Sequence, residues 1–249
     1  MAVSVIVPVL YSEPQLRQTL RGLAEAEGGP DFEVLVVVDV PDPTREEQAR
    51  ARNEAVAAET GARVVYRVGE RGFGSALRRA FREARGEVLV PIMADASEDP
   101  RDVSRLVAAM DDGLDIVAGS RYMQGGGIVG NTVKQRMSRF YSLLCRLAGG
   151  PHIHDISNAF KAYRRSVVDS VTTVAESFDV SVELTLKAHL AGFRVGEVPT
   201  VWTNRQEGRS NFSIRTELRN YGRWLMLALR SRSTAGTRAV ATAPRTHKP

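Results

Sequence analysis

Residues 3–9 read VSVIVPV and residues 32–38 read FEVLVVV, and these two apolar runs decide the fold. Each run is followed by a polar turn and then by a helical pattern, such as the leucines within 16–23. Further strands of the same kind are predicted at 62–68, 87–93 and 114–119. Apolar strands that alternate with amphipathic helices are typical of a mostly parallel sheet flanked by helices on both faces. The sequence therefore predicts an α/β fold.

In the first half of the chain, Thr44 is predicted as the N-cap of the helix that ends near Glu59.

The second half of the chain is less regular. Gly125-Gly126-Gly127 is predicted as a flexible hinge. Its later elements are predicted as helices at 134–147 and 179–190, a polar loop at 155–164 that enters a strand, a last strand at 195–202 and a final helix at 214–230.

The charge of the chain is unevenly distributed. The 249 residues carry a formal net charge of +5, with 43% hydrophobic and 25% charged residues, which is typical of a globular protein. Seven cations follow Glu217 and no acidic residue does, which leaves the first 217 residues with a charge of −2. A protein that is basic throughout is excluded, and with it the simplest kind of nucleic-acid binder. We expect the C-terminal cations to meet an anionic membrane surface.

Cysteine content and hydropathy narrow the class further. The single cysteine, Cys145, excludes an intramolecular disulfide and a multi-cysteine metal site, and its leucine neighbours indicate a buried thiol. The four histidines do not have the pattern of a metal site. The N-terminus reads as a first strand and not as a signal peptide, and no apolar run is long enough to span a bilayer. We expect a cytoplasmic protein, with peripheral contact to the inner face of the membrane.

Polar side chains follow the strand at 87–93, where a parallel sheet presents its ligands. Asp95 and Ser97 are hard oxygen donors, of the kind that Mg²⁺ or Mn²⁺ uses together with substrate phosphates. Glu98 and Asp99 are interpreted instead as caps of the helix that Pro100 opens. The sequence therefore predicts Asp95 as the functional carboxylate.

Other candidate ligands are spread along the chain. Arg121 follows the strand at 114–119, and Arg205 lies in a polar loop. Lys134 and Ser138 share a helix face and, with the two arginines, could hold a diphosphate or a second phosphate-bearing substrate opposite the metal. The glycines of the segment at 72–74 have two readings, close packing of a helix start or an approach to phosphate, and the sequence leaves both open.

Taken together, these segments resemble family 2 glycosyltransferases of the GT-A fold, and among them the dolichol-phosphate mannosyltransferase-like group. The resemblance covers residues 3–213. It rests on VIVP (5–8) with Glu13, VVVD (36–39), RGFGSA (71–76), MADASEDP (93–100), GSRY (119–122), DISNAFKAYR (155–164), AGFR (191–194) with EVP (197–199), and RQEGRS (205–210).

The resemblance implies transfer of a sugar, with inversion, from a nucleotide sugar of the GDP-mannose or UDP-hexose type to a polyprenyl phosphate. It implies catalytic roles for Asp95, Arg121 and Arg205, and a mobile loop that carries Arg205 over the donor. Asp155 is a further catalytic candidate, with anchoring of the loop at 155–164 by local hydrogen bonds as the favoured alternative. The resemblance also implies Mg²⁺ or Mn²⁺ on Asp95 and Ser97. It implies donor or phosphate contacts from Pro8, Glu13, Asp39, Gly72, Asp95, Ser97, Lys134 and Ser138.

Four departures keep alternatives open. Met93 stands where the family often has an acid, and Val40 follows Asp39 where paired acids are usual. The turn at 41–44 is shortened, and the first motif has an extra residue before Glu13. One alternative is a family 2 enzyme that acts on a hydroxyl of a small molecule or glycan, for which Asp155 would be the base. The other is a protein of the same fold that binds nucleotide sugars without catalysis.

The expected organisation is one catalytic domain with an appendage. The domain covers residues 1–213, an amphipathic helix at 214–232 contacts the membrane, and the tail at 233–249 is disordered and basic. An alternative for the helix is that its apolar face packs on the domain.

Overall fold

The computed structural model describes residues 1–26, 32–130, 133–204 and 219–231. Its strands are β1 (Val3–Leu10), β2 (Phe32–Val40), β3 (Arg63–Val68), β4 (Val88–Pro91), β5 (Ile116–Ser120), β6 (Gly127–Val129), β7 (Lys161–Arg164), β8 (Val195–Pro199) and β9 (Val201–Thr203). Its helices are α1 (Leu16–Ala24), α2 (Glu46–Ala58), α3 (Phe73–Glu83), α4 (Asp102–Ala108), α5 (Val133–Leu147), α6 (Arg165–Ser170), α7 (Val180–Leu190) and α8 (219–231).

Seven strands form one sheet in the order β3-β2-β1-β4-β7-β5-β8. β1 pairs in parallel with β2 on one side and with β4 on the other, and β5 pairs in parallel with β8. β7 is antiparallel to both of its neighbours, β4 and β5. The mostly parallel sheet confirms the α/β prediction, and each apolar run of the first half forms a strand.

The antiparallel strand β7 has a direct effect on where loops lie. Because β7 runs against its neighbours, its first residue lies at the edge where the other strands end. The polar loop at 155–160 therefore meets the loops that follow β4 and β5. The sequence predicted a strand here but not its direction.

The predicted strand at 195–202 is wrong as a single element. It divides at Thr200 into β8, in the large sheet, and β9, which pairs with β6 in a second sheet of two strands. The Thr200 hydroxyl donates to Asp102 Oδ2 at 2.6 Å, and this buried hydrogen bond fixes the point of division. Gly127, predicted within a hinge, begins β6 instead.

Two apolar clusters cover the faces of the sheet. Cys145 is buried in one of them, as predicted. Thr44 is not the N-cap that the sequence predicted: the side chain of Asp42 caps a short 3₁₀ turn before α2 and accepts the Thr44 N–H at 3.0 Å. The predicted domain boundary at 213 and the tail at 233–249 lie outside the described residues.

Candidate active site

The order of the strands places an opening beside β1. The chain fills the sheet on one side of β1 with β2 and β3, then crosses to the other side with β4. In such sheets ligands bind where the strand order reverses, beyond the carboxyl ends of the strands. The pairing of β1 with β4 ends at Ile6 and Pro91. Pro8 lies beyond that point, so its missing N–H removes no hydrogen bond to β4.

A buried ion pair closes the end of β2. Arg67 Nη1 donates to Asp39 Oδ1 at 2.7 Å, and the Gly72 N–H donates to Asp39 Oδ2 at 3.0 Å. Both side chains are nearly inaccessible. Burial raises the pKa of Asp39 to about 6, against the charge of Arg67, which lowers it. The sequence predicted Asp39 as a site residue but missed Arg67, although Arg67 also lies near a strand end.

The glycines at the start of α3 serve packing. A Cβ on Gly74 would lie 2.0 Å from the carbonyl oxygen of Ala175, and the Gly74 N–H donates to the Glu176 carbonyl. Gly72 has a φ of 136°, which side chains rarely adopt. The sequence left two interpretations of these glycines open. Close packing of the helix start explains Gly74, and the Gly72 N–H donates to Asp39.

The loop after β4 buries two carboxylates. Asp95 is 8% exposed, and its Oδ1 accepts the Ser97 N–H at 3.2 Å. Glu98 is 4% exposed, and its Oε2 accepts the Met93 N–H and the Ser97 hydroxyl, both at 3.1 Å. The prediction that Glu98 caps the next helix is therefore wrong: Glu98 turns back beneath Ser97. Asp99 does not cap α4 either: its Oδ1 accepts the Arg101 N–H in the turn before that helix, and the N-cap residue of α4 is Arg101, without a side-chain cap.

The electrostatics of this loop fit a divalent cation. Burial and the adjacent charge of Asp95 raise the pKa of Glu98 to about 7. The part of the chain that the structure describes contains no cluster of three or more metal-binding side chains. One or two carboxylates suffice for Mg²⁺ when substrate phosphates and water supply the other ligands. The donor set of Asp95, Ser97 and Glu98 is of that kind.

A second buried ion pair lies at the end of β5. Arg121 Nε donates to Asp155 Oδ2 at 2.6 Å, and Arg121 Nη2 donates to Asp155 Oδ1 at 3.0 Å. Asp155 Oδ1 also accepts the Ser157 hydroxyl and the Asn158 N–H, and Oδ2 accepts the Arg121 N–H. Burial alone would raise the pKa of Asp155, but the charge and hydrogen bonds of Arg121 outweigh it and lower that pKa below its usual value.

Two serine hydroxyls contact the same guanidinium, and the Tyr122 hydroxyl contacts one of them. Arg121 Nη2 donates to Ser138 Oγ at 3.2 Å and to Ser157 Oγ at 3.1 Å. The two serine hydroxyls are 2.5 Å apart, and the Tyr122 hydroxyl donates to Ser138 at 2.9 Å. We call Arg121, Tyr122, Ser138, Asp155 and Ser157 the arginine cluster. The sequence predicted three of its members, and it missed the roles of Tyr122 and Ser157.

An open groove of about 360 Å³ adjoins the arginine cluster and shares Tyr122 with it. Its lining combines apolar side chains with cations: Tyr122, Arg136, Arg139, Phe140, Leu143, Arg146, Ile153 and His154. Most of these residues belong to α5, and Phe140 is 62% exposed. An amphipathic helix with exposed aromatic and arginine side chains has the composition of an interfacial helix.

The final helix, α8, packs on the domain with part of its apolar face. Trp224 is buried, and its Nε1 donates to Asp179 Oδ2 at 2.7 Å. Tyr221 packs edge to face against Tyr141 of α5. Met226 remains 50% exposed. Among the described helices, none combines the length and the hydropathy that a membrane span requires.

The remaining predicted residues are less closely grouped. Glu13 is half-buried after β1, and Lys134 is exposed at the start of α5, one turn before Ser138. Arg205 lies outside the described residues.

Comparison with known proteins identifies the family. Residues 4–172 match the family model described as glycosyl transferase family 2. The chain belongs to glycosyl transferase family 2. The resemblance predicted from the motifs is confirmed, and so is the glycosyltransferase class.

Two curated relatives cover most of the chain. A dolichol-phosphate mannosyltransferase of Pyrococcus furiosus is 30% identical over 87% of this chain, which spans 60% of that longer protein. A polyprenol monophosphomannose synthase of Mycolicibacterium smegmatis is 35% identical over 84% of this chain and 80% of its own length.

The fold of this family 2 chain is similar to that of a solved glycosyltransferase. The glucosyl-3-phosphoglycerate synthase of Mycobacterium tuberculosis, in complex with Mn²⁺, UDP and phosphoglyceric acid, superposes with a TM-score of 0.64. It is 20% identical, and the match covers 93% of this chain and 78% of that one. The predicted GT-A fold is confirmed.

Proposed function

We propose that this chain transfers a sugar from a nucleotide-sugar donor to the phosphate of a polyprenyl phosphate, with inversion at the anomeric carbon. The observation that carries the proposal is the state of Asp155. Both of its carboxylate oxygens accept hydrogen bonds, and Arg121 lowers its pKa. A carboxylate held in this way is a poor general base. A phosphate nucleophile needs no base, because it is already ionised near neutral pH, whereas a hydroxyl nucleophile does.

The arginine cluster is the proposed site of the acceptor phosphate. A guanidinium presents several N–H groups in a plane and is suited to phosphate oxygens. The hydroxyls of Ser138 and Ser157 add donors beside Arg121. Lys134, on the same helix as Ser138, adds a cation near the surface.

The groove on α5 is the proposed path of the polyprenyl chain. It is continuous with the arginine cluster through Tyr122, and its apolar side chains are exposed. The arginines along it would lie at the level of lipid headgroups. Both relatives carry names that refer to polyprenol-linked mannose, which supports the same class of acceptor. The sequence predicted a membrane contact through 214–232. We assign most of this contact to α5 instead, because Trp224 of α8 is buried.

The opening beside β1 is the proposed donor site. Pro8, Glu13, Asp39 and Gly72 would line it on the nucleotide side. Asp95 would hold Mg²⁺ or Mn²⁺ on the diphosphate, with Ser97 and Glu98 behind it. When bound, the ion would neutralise charge that develops on the leaving diphosphate. Arg205, outside the described residues, remains a predicted donor contact.

The geometry then supports a reaction whose rate depends on how the two substrates are positioned. The acceptor phosphate must reach the anomeric carbon in line with the leaving diphosphate, and holding the two substrates together supplies much of the rate. Arg121 orients the nucleophile, while Asp155 holds Arg121. The reaction also requires stabilisation of the charge that develops on the leaving diphosphate of the donor.

The proposal is tested with a matched pair of acceptors. The purified chain is incubated with Mn²⁺ and a panel of labelled GDP- and UDP-sugars, and with either a polyprenyl phosphate or the unphosphorylated polyprenol in the same detergent. We expect transfer to the phosphate and none to the alcohol. Transfer to alcohols or glycans alone would establish the hydroxyl alternative. Donor binding without transfer across a broad acceptor panel would establish the non-catalytic one.

A further inference from the structure

Lys161 is the first residue of β7 and is completely buried. Its Nζ donates to the carbonyl of Ile156 at 2.9 Å and to the carbonyl of Asn158. Lysine is rarely buried to this extent unless it is paired, because removing an ammonium from water is costly. Burial lowers the pKa of Lys161 to about 7, while the nearby charge of Asp155 acts in the opposite direction.

The two carbonyls that Lys161 binds lie on either side of Ser157. The segment between them forms one wall of the arginine cluster, since Ser157 Oγ contacts Arg121, Ser138 and Asp155. Another hydrogen bond holds the same segment: Asn158 Nδ2 donates to the Gly119 carbonyl of β5 at 2.7 Å. The loop is thus fixed both to its own strand and to the neighbouring one.

We propose that Lys161 is a positioning residue for the acceptor phosphate: by binding the carbonyls of Ile156 and Asn158 it holds Ser157 and Asp155 against Arg121. The inference rests on the proposed function, because it assumes that the acceptor phosphate binds at Arg121. Lys161 itself is buried beneath the loop and does not touch the phosphate.

The role depends on N–H donors more than on charge. A neutral amine keeps two N–H groups, which matches the two carbonyls, and Asp155 and Arg121 are the charged groups that act on Lys161. A glutamine amide also has two N–H groups on one nitrogen, whereas a methionine of similar length has none. The two substitutions therefore separate positioning from loss of side-chain volume.

The test compares Lys161→Met and Lys161→Gln in the full chain, by steady-state kinetics with a polyprenyl phosphate in detergent. We expect Lys161→Met to raise the acceptor KM at least tenfold while the donor KM changes less than twofold. We expect Lys161→Gln to return the acceptor KM to within threefold of the wild type. Where Lys161→Met does not fold, Lys161→Gln decides alone, and a tenfold rise in its acceptor KM overturns the inference.

Arg165→Met is the matched control. Arg165 also binds backbone carbonyls, those of Ala84 and Gly86, but at the opposite edge of the sheet. It should lower the melting temperature and leave the acceptor KM unchanged. An unchanged acceptor KM in Lys161→Met, or equal changes in donor and acceptor KM, would show a purely structural role and overturn the inference.

A separate arm distinguishes failure of the inference from failure of the proposed function. If the wild type transfers no sugar to a polyprenyl phosphate, the proposed function fails. The dissociation constant of farnesyl phosphate, with farnesol as control, is then compared between the wild type and Lys161→Met by calorimetry. A tenfold weaker binding of the phosphate in the variant supports the positioning role. Equal binding, or no binding by the wild type, overturns it.

Discussion

Tyr11 and Ala96 are the described non-glycine residues with positive φ, at 57° and 53°. Tyr11 follows β1 and Ala96 follows β4, so both lie at the opening where the donor site is proposed. Tyr11 lies in the stretch between Pro8 and Glu13; its N–H donates to the Asp39 carbonyl, and its carbonyl accepts from Asn53. Backbone strain of this kind is concentrated at functional sites.

Asp95→Asn tests the proposed metal site. The substitution keeps the shape of the side chain but removes the charge that a divalent cation requires, so we expect transfer to fall about a hundredfold or more. Mn²⁺ binding, measured by electron paramagnetic resonance in the presence of the nucleotide diphosphate, should weaken in parallel. Asp99→Asn is the control, because Asp99 binds Arg101 at the surface and should bind the ion normally. Full Mn²⁺ affinity in Asp95→Asn would contradict the assignment.

Asp155→Asn separates the two kinds of acceptor. For a phosphate acceptor we expect a rise in the acceptor KM of about tenfold, since Arg121 loses the charge that orients it, with kcat at saturation largely kept. An enzyme that uses Asp155 as a base would lose kcat almost completely while donor binding remained. Initial rates below the melting temperature of the variant measure the difference, since breaking a buried pair also lowers stability.

At the scale of single residues, the sequence identified the groups that directly follow strands and missed those that a turn or a distant loop brings in. Asp39, Asp95 and Arg121 were predicted from that rule. Glu98 was missed because the left-handed turn at Ala96 sends it back toward Met93. Ser157 was missed because its partner on α5 is separated from it by 19 residues.

Among the elements, α5 offers the most exposed apolar surface beside the site. Phe140→Asp should weaken binding to lipid vesicles about tenfold or more. Burying a phenylalanine side chain in the membrane contributes about 1.5–3 kcal/mol to the free energy of binding, and the variant loses this contribution. Sedimentation with phosphatidylcholine–phosphatidylglycerol vesicles measures the partition. Val174→Asp is the control, since Val174 is 57% exposed but lies in the loop after α6 and not on α5. Equal losses in both variants would exclude a specific contact through α5.

The start of α3 depends on a close backbone contact. Gly74→Ala places a methyl group 2.0 Å from the Ala175 carbonyl oxygen, so the loop that follows α6 must move. We expect the free energy of unfolding to fall by about 1–3 kcal/mol, measured by urea denaturation. Gly222→Ala in α8 is the control: nothing lies within 4 Å of its added Cβ, and the helix should gain up to about 1 kcal/mol. Two substitutions with the same sign and size would contradict this packing.

Local periodicity predicted the strands of the first half well, even though β4 and β5 do not pair with each other. The apolar runs of β1 to β5 each gave a strand within about two residues of its predicted ends. The direction of β7 and the division of 195–202 were not predictable in this way, because both depend on partners far along the chain. The hydrogen bond from Thr200 to Asp102, for example, joins residues 98 positions apart.

For the whole molecule, the charge distribution provides a test of the proposed membrane contact. Deleting residues 232–249 removes four cations and lowers the formal net charge from +5 to +1. Each cation near an anionic surface contributes about 1 kcal/mol, so binding to anionic vesicles should weaken at least tenfold while transfer to detergent-solubilised acceptor is unchanged. Neutral vesicles are the control, and equal binding of both chains to anionic vesicles would contradict the prediction.

The position of β7 also determines the earliest point in synthesis at which β4 and β5 can join one sheet. β4 and β5 follow one another along the chain but are not neighbours in the sheet; the strand between them comes from residues 161–164. Until those residues leave the ribosome, β4 and β5 have open edges, which are prone to pair with other chains. The same event brings Asp155 to Arg121. The nascent chain therefore gains its proposed acceptor site only when β7 joins β4 to β5, before β8 adds the last strand of the sheet, and a chain released before residue 164 would have neither the joined strands nor that site.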